Sequence, residues 1–435
     1  MKKMLLSLLL SFASVVPLSA IQPMSQKDDD EALHRGKASR NVCSISFALV
    51  DKEGKMLYLS GGSASLIKPN VVATAGHVIY DALDELVYNE RANKDGVIKA
   101  FIKKLKKRNP IEDFRKQAKS IINKLKKGNP IHLPGMVTFE PDVHEALQAS
   151  TTSEAPLFFE IDSVILHPFY DYEDCTVGTD LAFVRLKTPV EGIEPLSLYQ
   201  EGIISPLGLH EELHPDLSML IKAHFSGYGS DSFQRFGKKR TVSQLCFVED
   251  ESAEITGYVP SNREETGIEV SEETHLFHDA LVQKKNEGDV YGLLHHGDSG
   301  GPLIVTNSEG KEFLIGIEST PGFNGVSCID EPQDTKGFQD VYNIARAYET
   351  YLCPLFTIEG ALRPEIPIML EKLAVFTTSP HSYLNQIIHT EKCMYDGLEK
   401  AYQAGMTLHE FLAFLESGSS SASSSSPSGP SSSQS

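Results

Sequence analysis

The segment Gly297-Asp298-Ser299-Gly300-Gly301-Pro302 constrains this chain more than any other. Glycines around a serine let the backbone turn tightly and bring main-chain N–H groups beside the hydroxyl, with little side-chain bulk in the way. Small Gly/Ser/Asp clusters are also common turn material. What separates the two readings is chemistry elsewhere. A hydroxyl is a poor nucleophile until a base takes its proton and backbone donors receive the resulting oxyanion. A base and a group to orient it are therefore the residues to seek. Val71-Val72-Ala73-Thr74-Ala75-Gly76-His77 is an apolar β-branched run ending in a histidine, and Asp180-Leu181-Ala182-Phe183-Val184-Arg185-Leu186 is an aspartate opening an alternating strand. Taken singly, the histidine reads as well as a surface residue and the aspartate as a turn residue.

In the chain order His77, Asp180, Ser299 the three segments resemble the triad of the chymotrypsin/trypsin family of serine proteases; other triad folds run in different orders. Supporting matches lie between them. Gly61-Gly62-Ser63-Ala64-Ser65-Leu66-Ile67 is similar to the family's Gly-Gly-Ser-Leu-Ile ahead of the histidine strand, and Ser226-Gly227-Tyr228-Gly229 to its Thr-Gly-Trp-Gly. Gly316-Ile317-Glu318-Ser319 occupies the place of the strand that lines the substrate cleft. The resemblance implies that His77 is the general base, Asp180 its orienting partner and Ser299 the nucleophile. It also implies an oxyanion hole formed by the N–H groups of Gly297 and Ser299.

Short runs such as Ser44 to Val50, Met56 to Leu59, Ala64 to Ile67 and Val71 to Ala75, punctuated by Gly, Pro and Asp, read as a sandwich or barrels. With the resemblance, the expected fold is mainly β: two antiparallel six-stranded β-barrels, chymotrypsin-like, with a helical insertion and a small C-terminal helical appendage. The expected organisation is a signal peptide over 1–20, a flexible leader over 21–40, an N-terminal barrel over 41–200, a C-terminal barrel over 201–353, a helical appendage over 354–416 and a disordered Ser-rich tail over 417–435.

The N-terminal barrel carries a basic insertion at 91–127, with 14 Lys and Arg against 3 Asp and Glu in a chain of net charge −19. Within it, Phe114, Ala118, Ile121, Ile122 and Leu125 fall at helical spacing, as do Val97, Phe101, Ile102 and Leu105, and each half ends at Asn-Pro. Two short amphipathic basic helices are expected, a hairpin that docks on the acidic body, binds an anionic partner, guards the cleft entrance, or stands solvated. Residues 249–273 hold nine acidic residues and one arginine, and read as a mobile surface loop. Leu384 to Ala404 is expected to be helical, and Thr407 with Glu410 suggests a capping box for a further short helix.

The implied function is an exported serine endopeptidase that hydrolyses peptide bonds through an acyl-enzyme intermediate, acting on protein or peptide substrates. A catalytically silent trypsin-like binding protein, or an interaction protein working through the basic insertion, is the alternative. In the family, the residue six before the nucleophile forms the floor of the specificity pocket. Here it is Leu293, which favours large apolar side chains. Glu318, Ser319, Gly322 and Gly337 fall at pocket-wall positions, and Glu318 reads either as a receptor for a basic side chain or as a strand carboxylate turned to solvent.

Family members activated by a new Ile-Val-Gly-Gly terminus pair it with the aspartate before the nucleophile. No such segment occurs in residues 21–45, so Asp298 is expected to find a lysine or main-chain donors instead. Six cysteines do not reproduce the family's bridges, which leaves free thiols or unconventional pairs. Lys2 and Lys3, an apolar stretch from Leu5 to Leu18 and Ser19-Ala20 read as a secretory signal, so export to a periplasm or the medium is expected, from a bacterial source. The net charge of −19 argues against nucleic acid, and no transmembrane segment is expected in the mature chain. Neither cofactor nor metal is expected: His295-His296 lacks further ligands at useful spacing.

Overall fold

The computed structural model describes residues 22–23, 26–51, 54, 56–88, 110–150, 156–170, 179–200, 217–229, 237–249, 275–278, 292–293, 297–307, 309–321, 350–355 and 362–403. In chain order the elements are β1 (Gln22–Pro23), α1 (Gln26–Ala38), β2 (Val42–Val50), β3 (Met56–Lys68), β4 (Val71–Thr74), α2 (His77–Tyr88), α3 (Pro110–Leu125), β5 (Gly135–Thr138), α4 (Val143–Ala149), β6 (Phe159–Leu166) and β7 (Ala182–Leu186). They continue with β8 (Ser197–Leu198), β9 (Leu217–Gly227), β10 (Arg240–Glu249), β11 (His275–His278), β12 (Gly292–Leu293), β13 (Pro302–Thr306), β14 (Glu312–Pro321), β15 (Thr350–Pro354), α5 (Glu365–Val375) and α6 (Leu384–Gln403).

Strands β2-β3-β4-β7-β6-β5 close into a six-stranded antiparallel barrel. These strands do not alternate cleanly between apolar and polar. Every residue of β4 and β7 is buried, and α5 packs against β7. Gly135 shows how close the strands run: a Cβ there would lie 2.4 Å from the Ser46 carbonyl oxygen. The second half of the chain forms a seven-stranded sheet in the order β13-β9-β10-β11-β15-β14-β8, with β13 also pairing β14. Its seventh strand is β8, which joins β14 in parallel through Ser197 and Leu198.

The basic insertion is anchored rather than solvated where it is described. Phe114, Ala118, Ile121, Ile122 and Leu125, the residues at helical spacing, are all buried on α3. Arg115 Nε donates to the Leu86 carbonyl at 3.0 Å and Gln117 Nε2 to that of Val50 at 3.2 Å, tying the helix to α2 and β2. The other half of the insertion, residues 91–109, lies outside the described residues, as do the acidic stretch 250–273, the Thr407/Glu410 pair, the segment 1–20 and the tail 417–435.

The C-terminal helices dock on the first barrel through buried ions, not through apolar contact alone. Arg185 on β7 donates to Asp162 Oδ2 from both Nε (3.0 Å) and Nη2 (2.5 Å). Its Nη1 reaches the Leu373 carbonyl at the end of α5 at 2.6 Å. Asp162 Oδ1 accepts from the Ser379 N–H at 2.7 Å. His167, Glu365 and Arg363 form a second buried group, with Glu365 Oε1 at 3.1 Å from His167 Nε2 and 2.7 Å from Arg363 Nε. The helix expected from Leu384 to Ala404 is found as α6.

The leader is a correction. Residues 26–38, expected to be flexible, form α1, whose Asp29 accepts from the buried Arg240 Nε at 2.7 Å. Ala32 packs against Phe225 and Val242, and a Cβ on Gly36 would meet the Lys239 carbonyl oxygen at 2.1 Å. Residues 29, 32 and 36 lie on one helical face, but the polar average of the segment conceals so narrow a stripe. Ahead of the helix, β1 pairs with β12 in the register Gln22↔Leu293.

Candidate active site

His77 is the first residue of α2, placed there by β4 and the turn at Ala75-Gly76. Position 76 is tight: a Cβ there would come within 2.7 Å of Leu166 Cδ1 and 2.9 Å of the Tyr170 ring, so those side chains would have to shift. Asp180 stands just before β7, the neighbour of β4 in the barrel, so the pairing of Thr74 with Ala182 brings the two residues together. The His77 main-chain N–H donates to Asp180 Oδ1 at 2.8 Å, and the ring Nδ1 lies 2.7 Å from Oδ2. A carboxylate can only accept, so Nδ1 carries a proton and Nε2 is the nitrogen left for chemistry. Ser319 Oγ donates to the same Oδ2 at 2.5 Å, and Asp180 is wholly buried.

Burial by itself would lower the His77 pKa. The Asp180 carboxylate, its hydrogen bond and, beyond it, Asp81 and Glu318 outweigh that and push the imidazole up to about 9. The ring is held as a hydrogen-bonded cation-acceptor pair with a buried acid behind it.

The serine turn is bolted to the first barrel. Ser63 on β3 donates its N–H to the Ser299 carbonyl at 2.9 Å and its Oγ to the Gly297 carbonyl at 3.1 Å, while Tyr228 N–H donates to that Oγ at 2.9 Å. One hydroxyl thus links the strand before the histidine, the serine turn and the Ser226-Gly227-Tyr228-Gly229 segment. Gly297 (φ 92°) and Gly300 (φ 82°) adopt the left-handed conformation that side chains resist. A Cβ on Gly300 would also lie 2.1 Å from Thr74 Oγ1 and 2.3 Å from the Ser63 carbonyl oxygen. Gly62 is hemmed in on two sides, with the Ser299 carbonyl 2.8 Å and the Val78 side chain 3.2 Å from where its Cβ would stand. The serine turn and the start of α2 therefore meet across a single glycine. The N–H groups of Gly297 and Ser299 donate to no acceptor among the described residues.

Asp298 is buried, and its Oδ1 accepts from the Gly229 N–H at 3.1 Å, a main-chain donor as the sequence analysis anticipated. Glu318 does not turn to solvent. Its side chain is wholly buried beside the serine turn, and its backbone is fixed to the two residues after Ser299: Gly300 N–H donates to the Glu318 carbonyl at 2.8 Å, and Glu318 N–H to the Gly301 carbonyl at 2.9 Å. The Ser299 side chain hydrogen-bonds this carboxyl, which favours its charged form. Burial, then the neighbouring Asp298, holds this carboxyl well above the usual carboxylate range.

Of the pocket residues expected from sequence, Ser319 is spent on Asp180 and Glu318 lies at the site. The Leu293 backbone is in β12, paired with the leader, and Gly322 and Gly337 lie outside the described residues. Sequence reasoning missed Ser63, whose neighbours Gly61 and Gly62 were the only signal. Cys43, Cys353 and Cys393 are free thiols.

Mainly β, with a closed six-stranded barrel and several helices, the chain has the architecture the resemblance implies for its first half. No family model matches it, and no curated protein does. Among solved structures it is similar to an HL collagenase at 14% identity, over 78% of this chain and 95% of that one, with a TM-score of 0.36. It is also similar to GrC at 14% identity, over 67% of this chain and 88% of that one, with a TM-score of 0.34. At these TM-scores the likeness is too slight to transfer a residue or an activity.

Proposed function

We propose that this chain is a serine endopeptidase, built as two β-barrels with the reaction at their junction and exported through the signal-like segment at 1–20. The observation that carries the reading is the wholly buried Asp180 holding His77 by two hydrogen bonds, at 2.8 and 2.7 Å, beside the rigid turn that presents Ser299. Asp180 fixes the ring so that Nε2 takes the Ser299 proton as Oγ attacks the substrate carbonyl. The imidazolium that forms is stabilised by the same carboxylate. The negative charge moves to the carbonyl oxygen, where the N–H groups of Gly297 and Ser299 receive it; a single such donor is worth roughly 10²–10³-fold in turnover. His77 then gives its proton to the leaving amine, and a water activated in the same way releases the acyl group.

A fluorophosphonate probe tests this directly. The wild-type protein is expected to label on one serine, and Ser299→Ala to abolish labelling without loss of fold. Absence of labelling in a folded wild-type protein, with the protein added as expressed and after removal of residues 1–20, would refute it.

A further inference from the structure

Resting on the hydrolase reading, we propose that Arg363, Glu365 and His167 form a positioning device for the reaction: buried behind Asp180, they tie the two halves of the chain together across their seam and make the C-terminal helices part of the catalytic unit.

The group belongs to both halves. Arg363 N–H donates to the Leu355 carbonyl at 3.0 Å, and Leu355 N–H to that of Ile315 at 2.9 Å, which fixes Arg363 to β14, the strand that carries Glu318 and Ser319. Its Nη1 lies 3.7 Å from Cys353 Sγ on β15. Its Nε donates to Glu365 Oε1 at 2.7 Å, and the same oxygen lies 3.1 Å from Nε2 of His167, the residue that follows β6 of the first barrel. Phe169 N–H donates to His167 Nδ1 at 3.2 Å, so Nδ1 is the bare nitrogen and Nε2 carries the proton that Glu365 accepts. The charges agree with this assignment. Burial opposes ionisation of Glu365, but the His167 hydrogen bond and the Arg363 charge hold it down to about 2. Burial keeps His167 below its ordinary value, and so neutral.

The turn that His167 opens touches both members of the His–Asp pair. His167 N–H donates at 2.9 Å to the carbonyl of Leu181, the residue after Asp180. Tyr170 N–H returns to the His167 carbonyl at 3.0 Å, and the Tyr170 ring packs beside Gly76, the residue before His77, with the Tyr80 ring of α2 at 5.3 Å between centroids. Cys353 lies between the two acids: Arg363, Asp180 and Glu365 all act on its buried thiol. Ile366, Met369, Leu370 and Leu373 already bury the apolar face of α5, so docking alone does not call for these ions. A buried ion pair adds little net stability over apolar packing of the same size, and its worth here lies in the geometry it fixes. His77 and Asp180 come from one half and Ser299 from the other, so a slip of about 1 Å at the seam costs roughly 10²-fold in rate.

Two variants test it. His167→Phe keeps a ring in place and leaves the Arg363–Glu365 pair intact, while Arg363→Met with Glu365→Gln removes both charges together so that neither is stranded. In each, fluorophosphonate labelling well below the unfolding temperature should slow roughly 10²-fold. The His77 titration, followed by NMR of the imidazole and assigned by its loss in His77→Ala, should fall clearly below the wild-type value of about 9. The control is Glu160→Gln, which loosens the start of α6, where Glu160 accepts from Ser382 Oγ and from the Tyr383 N–H at 2.6 Å each. It should lower Tm without moving either reading. Unchanged labelling in the folded variants, or slower labelling with the His77 titration unmoved, would overturn the proposal and leave the hydrolase reading standing. A wild type that does not label, with the titration still displaced in the variants, would sink the hydrolase reading and leave the group as the support of the His77–Asp180 pair; with the titration unmoved as well, both fall.

Discussion

Asp180→Asn removes one charge while keeping the size of the side chain, and its effect on His77 can be worked from the structure. His77 is raised from 6.5 to about 9, with Asp180 the leading cause that raises it against the opposing pull of burial. A group whose pKa is higher in the folded state contributes stability that is present in full below its unfolded pKa. That stability is lost as pH rises through the folded value. For His77 the window runs from pH 6.5 to about 9, and at about 1.4 kcal/mol per pH unit the contribution is roughly 3 kcal/mol. In Asp180→Asn the buried ring loses its counter-charge and titrates near or below 6.5, so this pH-dependent part disappears. Urea unfolding of both proteins at pH 6, 7.5 and 9.5 separates it from the constant cost of the altered hydrogen bonds. The wild type should exceed the variant by about 3 kcal/mol more at pH 6 than at pH 9.5. The reaction reads the same group with opposite sign, because the base must be neutral: fluorophosphonate labelling of the wild type should climb with pH to a plateau near 9. Labelling of the variant should be slower by roughly 10⁴-fold, as expected when the ring is held in the wrong tautomer. If the stability difference is the same at all three pH values, or wild-type labelling has already levelled off near pH 6.5, the proposed coupling is wrong.

Gly300→Ala should abolish labelling and destabilise the protein, since it forces a side chain into a φ of 82° and onto Thr74 Oγ1 and the Ser63 carbonyl; roughly 2–5 kcal/mol is expected from strain and overpacking together, measured by thermal unfolding. Asp162→Ala strands the Arg185 guanidinium in the core and unpairs the Ser379 N–H, and should lower stability by roughly 3–5 kcal/mol in urea. The pair Asp162→Leu with Arg185→Met should recover most of that loss, because an apolar replacement leaves no charge uncompensated.

The strands of the first barrel were legible as short β-branched runs broken by turn residues, and the His77–Asp180 contact through the chain order His, Asp, Ser, in which the three segments resemble a known family. The helical stripe Phe114 to Leu125 was legible too, since five apolar residues at one spacing outweigh the lysines around them. The docking of α5 was not. Nothing in the sequence around Arg185 and Asp162 points to the Leu373 and Ala374 carbonyls and Ser379 that the structure brings over them. Glu318 was ambiguous in principle, because a strand residue's partner depends on what lies across the sheet. Its burial follows from the clamp on Gly300 and Gly301, a contact between distant segments that no local pattern encodes.

Because α1 supplies the acid for Arg240 and β1 pairs with the strand ahead of the serine turn, the safe place to begin a recombinant chain is narrow. A start near residue 41, where the barrel begins, would take Asp29 from a guanidinium that is 1% exposed and would lay bare Phe225 and Val242. A start at residue 21 keeps both attachments. The contacts that hold the fold thus begin about twenty residues ahead of its barrel.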